Sequence, residues 1–442
     1  MSASNRKFLA FAAMAALLVA VGVFQSWSLS LAIVNLCVIS AIMSLGVNIQ
    51  WGYAGLFNAG VMGFAALGGV TVVLVSVPPV RETFAAGGLD LAIAAAVMIV
   101  TAGLTFAVWR KLSHLGPAGA LATCVVFAAG CFVARIFYLP ATAAIEAIEP
   151  AKTGFLGGAG LPVILAWPVA GVVAAGAAWI VGKVALGLRS DYLAIATLGI
   201  SEIIVAVLKN EEWMTRGVKN VVGLPRPTPY EVDLQQAEWF LSLADRFALD
   251  AVEFSSVFVK LCYTGLFVAV LAVLLILAEC ALRSPWGRMM RAIRDNEDAA
   301  EAMGKDVTGR HLQVFILGSA VIGIAGAMLT TLDGQFTPTS YQPLRFTFLI
   351  WVMVIVGGSG NNFGAILGGF IVWFAWVEAE PVGRWLVETL TLGMAADNPL
   401  RLHLIEGAAY MRPITMGVVL LLVLRFAPKG LLPEESGRSV AR

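Results

Sequence analysis

The chain has 442 residues, 59% of them hydrophobic and 13% charged, with 45 glycines and a formal net charge of +1. A composition this apolar excludes a water-soluble globular domain and describes an all-α, polytopic integral membrane protein. Near-zero charge with the basic residues in short loops excludes nucleic acid as a partner, because such binders carry a basic stripe.

Apolar runs of about 20 residues predict roughly 10–12 transmembrane spans in one transmembrane domain covering 1–442. Arg6 and Lys7 precede the run 8–24, and no small-x-small cleavage site follows, so an uncleaved first span is expected. The runs 29–50, 56–77, 89–109, 117–138, 161–183, 192–208, 256–280, 311–332, 346–356, 365–379 and 412–426 complete the set. The two short runs 346–356 and 365–379 flank the glycine-rich stretch 357–364, which predicts shortened or broken helices there.

With Arg6 and Lys7 in the cytoplasm and sides alternating after each span, Arg110, Lys111, Arg189, Arg425, Lys429 and the six Lys/Arg of the loop 283–310 all fall inside. The loop 210–254, with eight acidic and four basic residues, falls outside, and Pro225, Pro227 and Pro229 predict an ordered, non-helical course in it.

The loop 283–310 predicts a cytoplasmic helix of two turns over 296–303, capped by Asp295, with Glu297 and Asp298 in its first turn and Gly304 at its left-handed end. Ala299, Ala300 and Ala302 keep it thin, while Met289, Met290, Ile293 and Met303 offer apolar contacts to something outside the chain. The alternative on spacing alone is a connecting helix on the headgroups, with Arg283, Arg288, Arg291 and Arg294 meeting anionic membrane lipid.

The five cysteines, Cys37, Cys124, Cys131, Cys262 and Cys280, sit in apolar runs without CxxC spacing, and His114, His311 and His403 lack ligand spacing. No metal and no cofactor is expected. No GxxxxGK[ST] is present: Gly182-Lys183 and Gly304-Lys305 lack both the glycine spacing and the hydroxyl. The sequence therefore reads as a chain with no ATPase site of its own. No H-E-x-x-H, acidic pair or nucleophile–base set lies in the spans, which argues against a membrane enzyme. An ion-coupled secondary transporter is a further class, disfavoured because Glu202 is essentially the one acidic residue deep in a span.

Asp298-Ala299-Ala300, three further residues and Gly304 resemble the EAA-x-x-x-G loop by which ABC importer permeases dock on their ATPase subunits, with Asp in place of Glu. The blocks 52–60 (GYAGLFNAG), 188–199 (LRSDYLAIATLG), 201–204 (SEII), 291–294 (RAIR), 356–360 (VGGSG) and 428–433 (PKGLLP) are similar, in order, to the branched-chain amino acid permeases of LivM type. The chain departs from that pattern at Asn58-Ala59, at Thr215-Arg216-Gly217 and at Asn361-Asn362. Residues 89–138 read as a two-span insertion and 381–406 as an extracytoplasmic one.

The resemblance implies a bacterial inner-membrane permease that works with cytoplasmic ABC ATPase subunits, a second permease subunit and an extracytoplasmic solute-binding protein. Its solute would be branched-chain amino acids or, as in other relatives of that family, urea or short amides. Ile293, Asp298, Ala299, Ala300, Met303 and Gly304 are then the expected ATPase-coupling residues. The glycine-interrupted segments 46–69, 187–199 and 357–369 are where solute could pass, with helix packing as the alternative for most of these glycines. Candidate pathway residues within and around them are Asn48, Gln50, Tyr53, Asn58, Thr197, Glu202, Gly357 and Gly358. For Glu202 a structural hydrogen-bond anchor is the competing role.

Overall fold

The computed structural model describes residues 3–149, 153–247, 249–394 and 398–434. Among them, ten helices are long and apolar enough to cross a membrane, and Val61–Ser76 and Pro343–Gly357 are shorter apolar helices. The helices named below are α1 (Ala3–Phe24), α2 (Trp27–Ala54), α3 (Val61–Ser76), α4 (Leu89–Leu112), α5 (Pro117–Glu146), α6 (Val163–Ala185) and α7 (Ser190–Asn210). After them come α8 (Ala251–Arg283), α9 (Pro285–Asp295), α10 (Glu297–Ala302), α11 (Val307–Asp333), α12 (Pro343–Gly357), α13 (Asn362–Leu390) and α14 (Met411–Phe426).

Helix α2 is the axis of the bundle. It is apolar around its whole circumference, the pattern of a helix buried on every side, and α1, α8, α11, α12 and α13 surround it. Its polar residues are buried too and bond sideways: Asn35 donates to Lys260 O at 3.1 Å and Ser44 donates to Ala365 O at 2.7 Å. On the opposite side α11 meets α3 and α6. There a Cβ on Gly68 would overlap the carbonyl of Gly323, and one on Gly326 would overlap that of Ala65. The two backbones are in contact, which is how lipid-embedded helices gain dispersion energy without a hydrophobic drive between them.

The structure moves two expected boundaries. The run 56–77 is not one span: Gly55, at φ +71°, ends α2, residues 55–60 are non-helical, and α3 starts only at Val61. The stretch 365–379 is not short either, since α13 continues through Pro381 to Leu390. Trp385, Leu386 and Leu390, on its last turns, are exposed. Residues 395–397 of the stretch 381–406 lie outside the described residues.

Helices α4 and α5 form a hairpin that packs chiefly on itself. Outside the hairpin they meet the short helix Glu212–Thr215, and the preceding turn is fixed by Val80 N–H donating to Leu156 O at 3.1 Å. The loop 210–254 is ordered over its described residues, but the non-helical course expected of it holds only around the prolines, since Glu212–Thr215, Glu231–Gln236 and Glu238–Arg246 are helical. A two-residue strand Val221–Val222 pairs antiparallel with Gln335–Phe336, and Phe240 is fully buried against Phe254, with ring centroids 4.9 Å apart.

On the opposite side, α8, α9, α10 and α11 form an elbow. Ser284, Asn296 and Asp306 accept backbone N–H groups at the starts of α9, α10 and α11. The cap of α10 is thus Asn296, bonded to Ala299 N at 3.0 Å, and not the expected Asp295, which ends α9 and pairs with Arg294 at 3.2 Å. Asn296 has the extended backbone (φ −159°) that an N-cap requires. The helix covers 297–302, shorter than the expected 296–303, and Gly304 ends it at φ +76°.

Single cysteines at Val232 and at Lys305, in a cysteine-free background, will be labelled by an impermeant maleimide from opposite sides of the membrane, and Ser113 will label on the Lys305 side. Labelling of Val232 and Lys305 from one side would refute the alternation of spans.

Candidate functional site

Backbone that leaves the helix inside a membrane must find other hydrogen-bond partners, and the two breaks, 55–60 and 358–361, are where the polar side chains converge. Asn48 Oδ1 accepts the N–H of Gly360 at 2.9 Å, and its amide donates to Asn362 Oδ1 at 3.0 Å. The same Asn362 oxygen accepts the Tyr53 hydroxyl, while Asn362 Nδ2 donates to Glu279 at 2.9 Å. At the other break Asn58 accepts Gly60 N–H at 2.8 Å and donates to Gln50 Oε1 at 2.9 Å. Gln50 in turn donates to Phe315 O and Ser319 Oγ, each at 3.0 Å. Thr197 Oγ1 accepts Ala59 N–H at 3.1 Å, and the Trp351 indole donates to Asn58 O at 3.0 Å.

Asn48, Gln50, Tyr53, Asn58 and Thr197 are therefore brought together, but as fasteners of broken helices. All five are at most 1% exposed, and each is bonded to other protein groups. Gly357 and Gly358 are fasteners of another kind. A Cβ on Gly357 would overlap Gly364 O, Gly358 has φ +112°, and beside them the segment 428–434 lies in extended contact. Leu431 N–H donates to Val356 O and Leu432 N–H to Gly357 O, both at 2.9 Å. The physical reason for the difference from the pathway expectation is saturation: a group already bonded in a dry interior has nothing left to offer a solute without first losing a partner.

Glu202 stands apart. It lies midway along α7 on an exposed face shared with Ile195 and Gly199, and has no hydrogen bond or ion pair among the described residues.

The elbow presents Asp298, Ala299, Met303 and Gly304 to solvent, with Met303 79% exposed and Ala300 partly packed. Ile293 differs from the expectation: at 1% exposure, with Met290 at 0%, it packs inward on the bundle and is not available to a partner. The amphipathic α9 turns its apolar face to α2, exposes Arg288 and keeps Arg291 and Arg294 half-buried. Arg294 ties the elbow to both breaks. Its guanidinium donates to Gly52 O at the end of α2 and pairs with Glu434 at 2.9 Å beside Gly360. This fork geometry, with three acceptors around one cation, is suited to Arg and not to Lys.

A cavity of about 240 Å³ opens between α2, α3, α11, α12 and α13, reaching from Asp333 at the C-terminal end of α11 to Met43, Met62 and Met353. Its walls are apolar. Its polar groups are Asp333 and Ser340 toward the mouth and Ser40 and Trp373 along the side, and the buried Trp373 indole N–H has no partner among the described residues. Such a space can hold a small apolar body with a charged end at the carboxylate. None of the eight expected pathway residues lines it. Its α2 wall, Leu36, Ser40 and Met43, follows i, i+4, i+7 spacing, a legible signal on one helix. Asp333 and Trp373 carried no such signal, because an acidic residue ending an apolar run reads as interfacial and a Trp in a span reads as packing.

The family described as branched-chain amino acid transport system, permease component, matches residues 29–424. The chain is 30% identical over 207 residues to the high-affinity branched-chain amino acid transport system permease protein LivM of Salmonella typhimurium, covering 46% of this chain and 48% of that protein. The Escherichia coli LivM is also 30% identical, over 209 residues, with the same coverage. The probable LivM of Methanocaldococcus jannaschii is 26% identical over 250 residues, 56% of this chain and 61% of that one. The chain thus spans about half the length of the first curated relatives it matches. No solved structure matches it.

Asn362→Leu removes three hydrogen bonds at once, taking a partner from the Asn48 amide, the Tyr53 hydroxyl and Glu279, which keeps its ion pair with Arg283; the cost is about 1–3 kcal/mol for each buried group left without a partner. The thermal midpoint of the purified variant, read by fluorescence-detected size exclusion, will fall by several degrees. A wild-type midpoint would show that this junction does not hold the broken helices.

Proposed function

We propose that the chain, which belongs to the branched-chain amino acid transport system permease family, is a membrane-spanning subunit of a binding-protein-dependent ABC importer for branched-chain amino acids in a bacterial inner membrane. The observation that carries this reading is the elbow. A short helix of small residues stands exposed at Asp298 to Gly304, while its base is bonded through Arg294 to the ends of broken membrane helices. An ATPase that grips α10 would push or pull on Gly52 and Gly360 through a single guanidinium. The chain itself carries no phosphate-binding loop, so the energy comes from that partner.

Solute enters, in this reading, from a soluble receptor at the extracytoplasmic mouth near Asp333 and Ser340. The apolar walls favour branched aliphatic side chains over urea or short amides, whose polar groups would lose water without gaining partners. Among the described residues the ion pair Glu380–Arg412, at 2.7 Å, joins α13 to α14 without lining the cavity, so an ion-coupled mechanism finds no paired ionisable site on the route. A second permease subunit completes the assembly, and the exposed face of α7 is where it sits: a carboxylate at that depth is costly against lipid and is stabilised by a polar partner.

Gly304→Val is expected to strain the left-handed end of α10 by about 1–2 kcal/mol, comparable with a coupling energy of about 1–3 kcal/mol. No atom lies within 4 Å of the added Cβ, so the fold itself is not disturbed by a clash. That variant, and Ala300→Glu with Met303→Glu, will insert and fold but will lose pull-down of the ATPase subunit and ATP-driven leucine uptake in proteoliposomes. Wild-type docking and uptake by both would refute the coupling role. Asp333→Asn will raise the KM for uptake and leave ATPase docking intact. Unchanged uptake kinetics would remove the cavity from the route. A cysteine at Gly199 will crosslink to the second permease subunit, and failure across several reagent lengths would place that subunit elsewhere.

A further inference from the structure

We propose that the α4–α5 hairpin forms a binding site for one anionic phospholipid of the extracytoplasmic leaflet, with an acyl chain between the two helices and the phosphate on Arg135. A cavity of about 590 Å³ lies between the outer halves of α4 and α5 and the segment around Trp213. Its floor is Met98 and Cys131, its walls include Ala95 and Ala134, and its upper end is closed by Tyr138 and Trp213. The lining runs from Gly88, just before α4, along that helix to Met98. Ten residues at about 1.5 Å each give about 15 Å, one leaflet of a hydrocarbon core about 30 Å thick.

Arg135 is the one charged residue lining this space, and no carboxylate pairs with it among the described residues. The nearby carboxylate of Glu211 is engaged, since it accepts the Tyr138 hydroxyl and, at 2.7 Å, the Trp213 indole. Arg135 lies one turn below Tyr138 on α5, within reach of the headgroup level for a side chain that can extend its charge upward. An unpaired cation at that depth is stabilised by an anion drawn to it, and a lipid phosphate accepts two guanidinium N–H bonds in fork geometry. The hairpin packs chiefly on itself, so lipid reaches the cavity from the side. Small residues such as Ala95 and Ala134 leave the room that an acyl chain fills.

The test uses the full-length protein reconstituted in vesicles of equal parts phosphatidylglycerol and phosphatidylcholine, re-extracted in mild detergent, with retained lipid counted by native mass spectrometry. Wild type is expected to retain phosphatidylglycerol on the order of tenfold over phosphatidylcholine, the ratio that one charge-assisted contact supports. Arg135→Lys will keep the enrichment and Arg135→Gln will lose it. Ala95→Trp, which fills the cavity, will lose retention of the lipid with Arg135 in place. Millimolar inorganic phosphate will not displace the lipid. Equal retention of both lipids by wild type, undiminished enrichment in Arg135→Gln or Ala95→Trp, or displacement by free phosphate would each overturn the site.

Discussion

Inside a bilayer the backbone has no water to fall back on, so each place where a helix stops must be matched by groups that complete its hydrogen bonds. In this protein that requirement falls on three carboxamides, Asn48, Asn58 and Asn362, and on Arg294. The carboxamide is suited to the task because it offers an acceptor and two donors on one rigid plane. Asn48 faces Gly360 N–H with its oxygen and Asn362 with its nitrogen, joining α2 to the far break. Without these bonds the ends of α2, α3, α12 and α13 would expose unpaired groups at membrane depth. The arrangement of the central helices depends on them more than on any apolar contact, since hydrocarbon outside is as good a solvent for Leu as the interior.

The same requirement explains which parts of the fold were legible in the sequence. Most span positions follow from run length, and the extended course around Pro225, Pro227 and Pro229 follows from the prolines, because both signals are local. The elbow was legible apart from its cap: small residues and a terminal glycine specify a short exposed helix, while the cap fell one residue later, on Asn296. What escaped was partnership. Asn48, Gln50 and Asn58 look like solute ligands on a linear chain, since polar residues in spans are costly. Only the fold shows that residues up to 314 positions apart meet and satisfy one another. Ile293 escaped for a related reason, as the charged context of α9 suggests exposure while its amphipathic periodicity turns it inward. The outer cavity was invisible because five helices build it, each supplying residues that are ordinary for a buried helix.

The hairpin α4–α5 shows how a membrane protein can be enlarged at little cost to its core. Two antiparallel spans preserve the sidedness of everything after them and need no new interface within the bundle. Their exposed apolar surface is not a liability in lipid, where no hydrophobic penalty applies to an uncovered helix face. Only the junction with the outer loop has to be specific. Here it is, through Leu156 N–H donating to Trp213 O at 2.9 Å and the cluster of Tyr138, Glu211 and Trp213.

The segment 428–434 bonds to the break at Gly357 and holds Arg294 through Glu434. It follows α14 in the chain, so a ribosome releases it only after all the helices it fastens have been made. Until then Arg294 lacks the Glu434 carboxylate and the elbow lacks one of its anchors. The order of synthesis thus delays the rigid form of the elbow until the helices beneath it are in place, so that the short helix α10 gains its firm footing last.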